Sequence, residues 1–418
     1  MDIWQLRGGN SLEGACFVQG SKNASLPIIA ASLICPLRAE LMNVPRLRDV
    51  DAALRILRAL GCKAQQSGGD LYIDSAGMCR SSIERSLMME MRSSVFFMGA
   101  LLARCGRARL SLPGGCQLGA RPIDMHLAAL RQLGVEISEQ DGEICCEAKG
   151  LHPADIHLPF PSVGATENIM LCACAIPGET RIINAAREPE IVALQDYLRT
   201  LGANIRGAGS GEIVISGMAP ESHVGFRMPA DRIAAATFAC ATAAAGGDVE
   251  LRGVEPEQFS TVTDFINEAG CDIIKGRGSL RVKSDGRLRA VSPVSTGPYP
   301  AFPTDAQPVL MAALLKAEGE SRMQENIFEN RYRQVPELRK LGADIELDGR
   351  RALIRGVREL HGTELQATDL RGGAAMIVAG LCAEGDSRVM DTGHIRRGYE
   401  ELDSRLRALG AEIRLSTD

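Results

Sequence analysis

Apolar and polar residues alternate along this chain in a unit that returns six times. LRALGCKAQ at 57–65 is followed by LRQLGVEIS (130–138), LRTLGANIR (198–206), INEAGCDII (266–274), LRKLGADIE (338–346) and LRALGAEIR (406–414). Each copy predicts the last turn of an amphipathic helix, a glycine stop at the position after the cap, and an alternating strand. The residues before the six glycines are Leu60, Leu133, Leu201, Ala269, Leu341 and Leu409, spaced by 73, 68, 68, 72 and 68.

A second phase runs beside the first. Helices of small apolar residues are expected to begin near SKNASLP (21–27), MRSSVFF (91–97), SVGATEN (162–168), ADRIAAA (230–236), TDAQPVL (304–310) and TDLRGGA (368–374). Most run through a glycine turn into a strand, as in KAEGESRMQEN and CAEGDSRVMDT. Each unit of about 70 residues therefore holds at least two helices and several strands, an α/β class. Solenoid repeats are shorter, about 20–50 residues. Six units exceed one comfortable core, so a split of three plus three is expected, with GAGSGEIVISGMAPESH (207–223) falling before the crossover.

Composition narrows the class. The 418 residues are 45% hydrophobic and 24% charged, with net charge −5. That balance is ordinary for a soluble globular protein and argues against broad binding of nucleic acid or acidic membranes. MDIWQLRGGN has no cationic stretch leading into an apolar run, so no signal peptide is expected. LPIIAASLICPL is too short to span a bilayer. Among 13 cysteines there is no C-x-x-C, and the six histidines show no zinc spacing. Most cysteines lie in apolar runs and read as small core residues of a cytoplasmic protein. Cys116, in the glycine-rich loop LPGGCQLGARPIDMH (112–126), does not.

Candidate chemistry gathers at the helix starts. Lys22 and Asn23, Arg92, Ser162, Asp231 and Arg232, Asp305, and Asp369 with Arg371 all stand there. An aspartate at such a site is most simply an N-cap. A cation opposes the helix dipole, and Lys22, Arg92 and Arg371 make sense beside an anionic ligand. At the other strand-to-helix junction, Arg121 and Arg397 each precede the stop leucine by 12 residues, and Arg331 precedes Leu341 by 10. Matching cations in a repeated fold point to phosphate and carboxylate groups as ligands. Asp305, stiffened by the prolines of PAFPTDAQ and with no adjacent cation in sequence, is expected to hold its proton more tightly and to serve in proton transfer.

The stretches GSKNASLP, LPGGCQLGARPID, PSVGATENIM, AFPTDAQ, FENRYRQVPEL, ATDLRGGAA and IRRGYEEL together resemble the UDP-N-acetylglucosamine 1-carboxyvinyltransferases, a family of enolpyruvyl transferases. The resemblance covers essentially the whole chain in order. It implies a two-domain inverted α/β barrel, each domain built of three pseudo-symmetric repeats, with 22–229 as the first lobe, 1–21 and 230–418 as the second, and ligands between them. It implies transfer of the enolpyruvyl group of phosphoenolpyruvate to the 3′-hydroxyl of UDP-N-acetylglucosamine with release of phosphate. That is the first committed step of peptidoglycan synthesis, so the resemblance ties the chain to cell-wall growth, shape and division.

No metal or organic cofactor is implied, and a monomer is expected. On the same resemblance, Cys116 is the general acid, forms a pyruvate adduct and is the target of the epoxide fosfomycin. Asp305 takes the hydroxyl proton, and Asp369 helps order the charges. Lys22 and Asn23 touch phosphoenolpyruvate and the sugar. Arg121, Arg331, Arg371 and Arg397 meet phosphate or carboxylate. Asn23, Arg92, Arg121, Pro122, Ile123, Asp124, Met125, Ser162, Val163, Asp305 and Ile327 hold the nucleotide sugar.

Two positions depart from the family pattern. Phe160 stands where some members carry lysine against the nucleotide, and Arg396 where an acidic residue is more usual; Arg396 is expected to face solvent. The shikimate-pathway enolpyruvyl transferase is a rival, but it reads lysine-serine at 22–23 and lacks the cysteine loop. A silent UDP-sugar-binding regulator would lose Cys116, Asp305 or Lys22, and all three are present. A ligand-free structural repeat would not concentrate cations at helix starts.

Overall fold

A computed structural model describes residues 1–111, 123–140 and 142–417. Its described residues form six four-stranded sheets with one strand pattern. In the sheet around 155–218, Asp155–His157 runs parallel to Thr180–Ile183, which pairs antiparallel with Glu212–Met218, which in turn pairs antiparallel with Ala203–Arg206. A buried helix, Val163–Ala173, joins the two parallel strands, and an amphipathic helix, Pro189–Thr200, leads to the hairpin. The repeat is therefore strand, helix, strand, helix, hairpin.

The six stop glycines explain why the pattern is so regular. Gly61, Gly134, Gly202, Gly270, Gly342 and Gly410 all have φ between 88° and 111°. A side chain is strained in that region, so glycine ends each outer helix and turns the chain into its hairpin strand.

Not every sheet is closed by neighbouring sequence. Asp2–Arg7 lies between Asp386–Asp391 and Glu412–Thr417, antiparallel to both, and so completes the last repeat. Leu12–Phe17 then opens the fourth repeat beside Gly247–Arg252, and His223–Arg227 opens the first beside Arg38–Met42. Within 207–223, Glu212–Met218 is an interior strand that pairs on both sides.

The described residues divide into two compact units, one of 1–19 and 230–417, the other of 20–111, 123–140 and 142–229. Gly20 and Ser21 belong with Lys22, not with the strands before them. The Ser21 hydroxyl accepts from Ala24 N at 3.2 Å and caps the Lys22–Ala31 helix, while Ser21 N donates to Pro229 O at 2.8 Å.

Each unit has its own core. In one, the helices Arg232–Ala245, Gln307–Ala313 and Leu370–Leu381 pack pairwise on one another. Their alanines and glycines permit close approach, and nearly every residue is buried, as expected for helices without a polar face. In the other, Phe97–Cys105 packs against both Lys22–Ala31 and Val163–Ala173. An α-helix over MRSSVFF gives way to a 3-10 turn, Arg92–Phe96, in which the Ser94 hydroxyl donates to Met91 O at 2.8 Å. Among the described residues, no helix is long and apolar enough to cross a membrane.

Glu167 is a buried acid within the second core. Neither carboxylate oxygen has a hydrogen-bond partner among the described residues. Burial, reinforced by Glu190 and Glu188, pushes its pKa well above the usual carboxylate value. A raised folded-state pKa means that this group's contribution is complete below the unfolded value of about 4.3 and is lost as pH rises through the folded value. Glu167→Gln removes that loss. Thermal melts are expected to show the variant gaining on the native chain steadily from pH 5 to pH 8.5; a gap that stays constant across this range contradicts the assignment.

Candidate active site

Three aspartates at helix starts do two different jobs. Asp231 is an N-cap, accepting from Ile233 N at 2.9 Å and Ala234 N at 3.0 Å. Asp369 is another, with Oδ1 accepting from Arg371 N and Gly372 N, each at 3.0 Å. Asp305 is not at the cap position; the helix that follows it, Gln307–Ala313, has Ala306 there and no side-chain cap bond. Its carboxylate is instead gripped by two arginines. Arg371 donates to Oδ2 from Nε at 3.1 Å and from Nη2 at 3.0 Å, and Arg331 donates to Oδ1 from Nη2 at 3.0 Å.

The exposures differ sharply. The Arg331 and Arg371 side chains are 1% and 2% exposed, whereas Asp305 is 29% exposed. The two cations thus sit behind the carboxylate and present it. Arg331 also donates to Thr304 O at 3.0 and 2.8 Å, and the Arg371 guanidinium lies 5.4 Å from the centre of the Tyr399 ring. Burial works against the Arg371 charge, but Tyr399, Asp305 and Asp231 more than offset it and hold its pKa above the ordinary value.

Arg331 donates to both Asp305 and Thr304, whereas Arg371 donates to Asp305 and has its buried Nη1 without a hydrogen-bond partner among the described residues.

Buried acids fix the loops around it. Glu325, fully buried, accepts from Thr304 Oγ1 at 3.1 Å and from the backbone N–H groups of Ile327 and Phe328 at 2.8 and 2.9 Å. It ties the residue before Asp305 to Ile327. Asp391, also fully buried, accepts from Gly393 N, His394 N and Ile395 N at 2.9, 2.7 and 3.0 Å. That shapes the 3-10 turn Ile395–Arg397, which leaves Arg397 half-buried. Gln19 holds the next residues, donating to Gly398 O at 3.0 Å and accepting from Glu400 N at 2.7 Å. Arg396 is exposed, 3.8 Å from Asp2.

In the other unit, Lys22 opens its helix almost fully buried, with Nζ 3.3 Å from Asp49 Oδ2. Asn23 follows, half-buried. Ser162 caps Val163–Ala173 through Ala165 N at 3.4 Å, and Val163 is the first residue of that helix. Ile123 is the cap position of Asp124–Gln132, so Asp124 and Met125 form its first turn. Arg92 begins the 3-10 turn. A groove of about 370 Å³ runs past Asp124 and Met125 to His157, Leu158 and Pro159, and Phe160, exposed, comes next in the chain. Cys116, Arg121 and Pro122 lie outside the described residues.

Sequence reasoning missed Asp49, Tyr399 and Glu325. Arg48 precedes Leu60 by 12, as Arg121 and Arg397 precede their leucines, and that signal would have drawn attention to Asp49 beside it. Tyr399 and Glu325 carry no such mark, because their roles depend on partners distant in the chain.

The same architecture occurs in solved enzymes. The enolpyruvyl transferase NikO from Streptomyces tendae superposes with a TM-score of 0.89 at 25% identity, covering 100% of this chain and 99% of that one. EPSP synthase from Acinetobacter baumannii shares the fold, with a TM-score of 0.78 over 100% of both chains at 20% identity. The family model for EPSP synthase (3-phosphoshikimate 1-carboxyvinyltransferase) matches residues 6–406.

Curated sequences are more specific. UDP-N-acetylglucosamine 1-carboxyvinyltransferase 2 of Caldanaerobacter subterraneus subsp. tengcongensis is 44% identical over 99% of both chains. The UDP-N-acetylglucosamine 1-carboxyvinyltransferase of Trichlorobacter lovleyi is 43% identical, again over 99% of both. The chain belongs to this family, the UDP-N-acetylglucosamine 1-carboxyvinyltransferases among the enolpyruvyl transferases.

Proposed function

We propose that this chain transfers the enolpyruvyl group of phosphoenolpyruvate to the 3′-hydroxyl of UDP-N-acetylglucosamine, releasing phosphate, as the first committed step of peptidoglycan synthesis in the cytoplasm. What carries the reading is Asp305, an accessible carboxylate bonded to two buried guanidiniums, in a chain alike from end to end to enzymes of that name.

The chemistry is an addition followed by an elimination. Asp305 takes the proton of the 3′-hydroxyl as its oxygen bonds to C2 of phosphoenolpyruvate, and Cys116 delivers a proton to C3. Loss of a C3 proton and cleavage of the C2–phosphate bond then restore the double bond. Lys22, Asn23, Arg121 and Arg397 meet the phosphate and carboxylate of phosphoenolpyruvate. Arg331 and Arg371, both bonded to Asp305, meet the same groups, and Asp369 sets the helix start that carries Arg371. Asn23, Arg92, Arg121, Pro122, Ile123, Asp124, Met125, Ser162, Val163, Asp305 and Ile327 contact the nucleotide sugar.

Purified protein mixed with both substrates is expected to liberate phosphate, one per enolpyruvyl group transferred. Shikimate 3-phosphate in place of the nucleotide sugar is expected to give none. Release with shikimate 3-phosphate alone would move the chain to the rival activity, and silence with both would leave a sugar-binding regulator.

A further inference from the structure

We propose that Asn168 and His126 are a positioning pair for the nucleotide-sugar pocket, locking three backbone segments that carry its contacts. The inference rests on the functional reading above and names residues that the reading does not use.

The pair sits where the three segments meet. Asn168 is fully buried on the helix that Ser162 caps, and His126, 7% exposed, is in the first turn of the helix begun by Asp124 and Met125. Asn168 Oδ1 accepts from Gly99 N at 2.7 Å, and its Nδ2 donates to Val95 O at 3.1 Å. Val95 belongs to the turn that Arg92 opens, and Gly99 lies in the first turn of the helix that continues it. That helix has no side-chain cap of its own, so one of its unpaired N–H groups is satisfied from a different helix.

The backbone partners also assign the protons. Gly99 N–H can only donate and Val95 C=O can only accept, so the orientation of the amide follows. Asn168 Nδ2 then faces His126 Nδ1 at 2.8 Å as the donor. The imidazole must accept there, which places its proton on Nε2.

Two glycines make room for the arrangement. A Cβ on Gly99 would stand 2.4 Å from Asn168 O and 2.8 Å from its Oδ1. A Cβ on Gly164 would stand 3.0 Å from His126 Cε1 and 3.2 Å from Nε2, so the ring lies against the backbone just after Val163. Through these contacts the positions of Arg92, of Asp124 and Met125, and of Ser162 and Val163 are set by one amide and one imidazole. Removing the acceptor leaves a buried amide donor short of a partner and frees the segments to shift. Shifts of an ångström in binding groups are costly to recognition.

The test combines calorimetric titration of UDP-N-acetylglucosamine with steady-state kinetics on the full chain and three variants. His126→Leu is expected to weaken nucleotide-sugar binding about tenfold or more and to raise its KM alike, with kcat and the KM for phosphoenolpyruvate within about threefold of native. His126→Asn, whose Oδ1 can accept where Nδ1 did, is expected to return to within about threefold. Gly164→Ala keeps both partners but crowds the ring, and is expected to give an intermediate loss. If His126→Leu does not fold, Gly164→Ala decides.

Unchanged affinity in a folded variant overturns the pair. So does failure of His126→Asn to recover, or a joint fall in kcat and both affinities with a lowered melting temperature, which marks a merely structural role. A native chain that binds no UDP-N-acetylglucosamine overturns the functional reading itself and the pair with it.

Discussion

Asp305→Asn is expected to lower phosphate release by about a hundred- to ten-thousandfold, the range typical of losing a general base, while binding of UDP-N-acetylglucosamine stays within about threefold. The amide fills the same volume, and its single oxygen can still accept from one of the two arginines that now bond to separate carboxylate oxygens. It cannot take a proton from the sugar hydroxyl. Both variants take the counter-charge from two side chains that are 1% and 2% exposed, and Asp305→Ala also removes both acceptors. Breaking a buried pair costs about 3–5 kcal/mol, so both variants should melt at a clearly lower temperature, the alanine variant lower of the two. Turnover by Asp305→Asn above a tenth of the native rate would remove Asp305 from the proton transfer.

Cys116→Ser is expected to abolish alkylation by fosfomycin and to depress turnover by about a hundredfold or more, since a serine hydroxyl is a far poorer proton donor than a thiol. The remaining cysteines provide a clean background. Nine of the twelve described ones are buried. Burial pushes Cys62 to about 11 and Cys146, Cys172 and Cys174 to about 12, leaving little thiolate near neutrality. Only Cys79, Cys105 and Cys145 among the described cysteines are not buried, and burial raises the Cys105 pKa even so. Intact-mass measurement should therefore show one adduct per native chain and none in the variant. An adduct persisting at another cysteine would show that the reactive thiol has been misassigned.

Much of the architecture was legible because the rules behind it are local. A glycine directly after the last residue of a helical apolar stripe can end that helix through a positive φ, and all six such glycines in this chain do so. Runs rich in small apolar residues with no polar face must be buried on every side, and the six runs singled out lead into the buried helices of the two units. Ser21, Ser162, Asp231 and Asp369 cap the helices they precede, as their residue types and positions imply.

The candidate site was legible as a set of residue types and positions, but not as a set of partnerships. Asp305 stood apart from Asp231 and Asp369 along the chain by its prolines and its lack of an adjacent cation, but its bonds to arginines 26 and 66 residues away could not be read there. The cations looked like ligand contacts, and two of them, Arg331 and Arg371, also bond Asp305.

By itself, then, the amino-acid order determined the repeat, the stops, the caps and which helices go to the centre, because each depends on residues within one or two turns of one another. Only the folded chain decided that residues 2–7 complete a sheet with 386–391 and 412–417, that Glu325 ties the turn before Asp305 to Ile327, and that Arg331 and Arg371 serve Asp305. Those pairings join segments with no periodic relation, and their strength comes from taking charges and backbone groups out of water together, which happens only once the cores have closed.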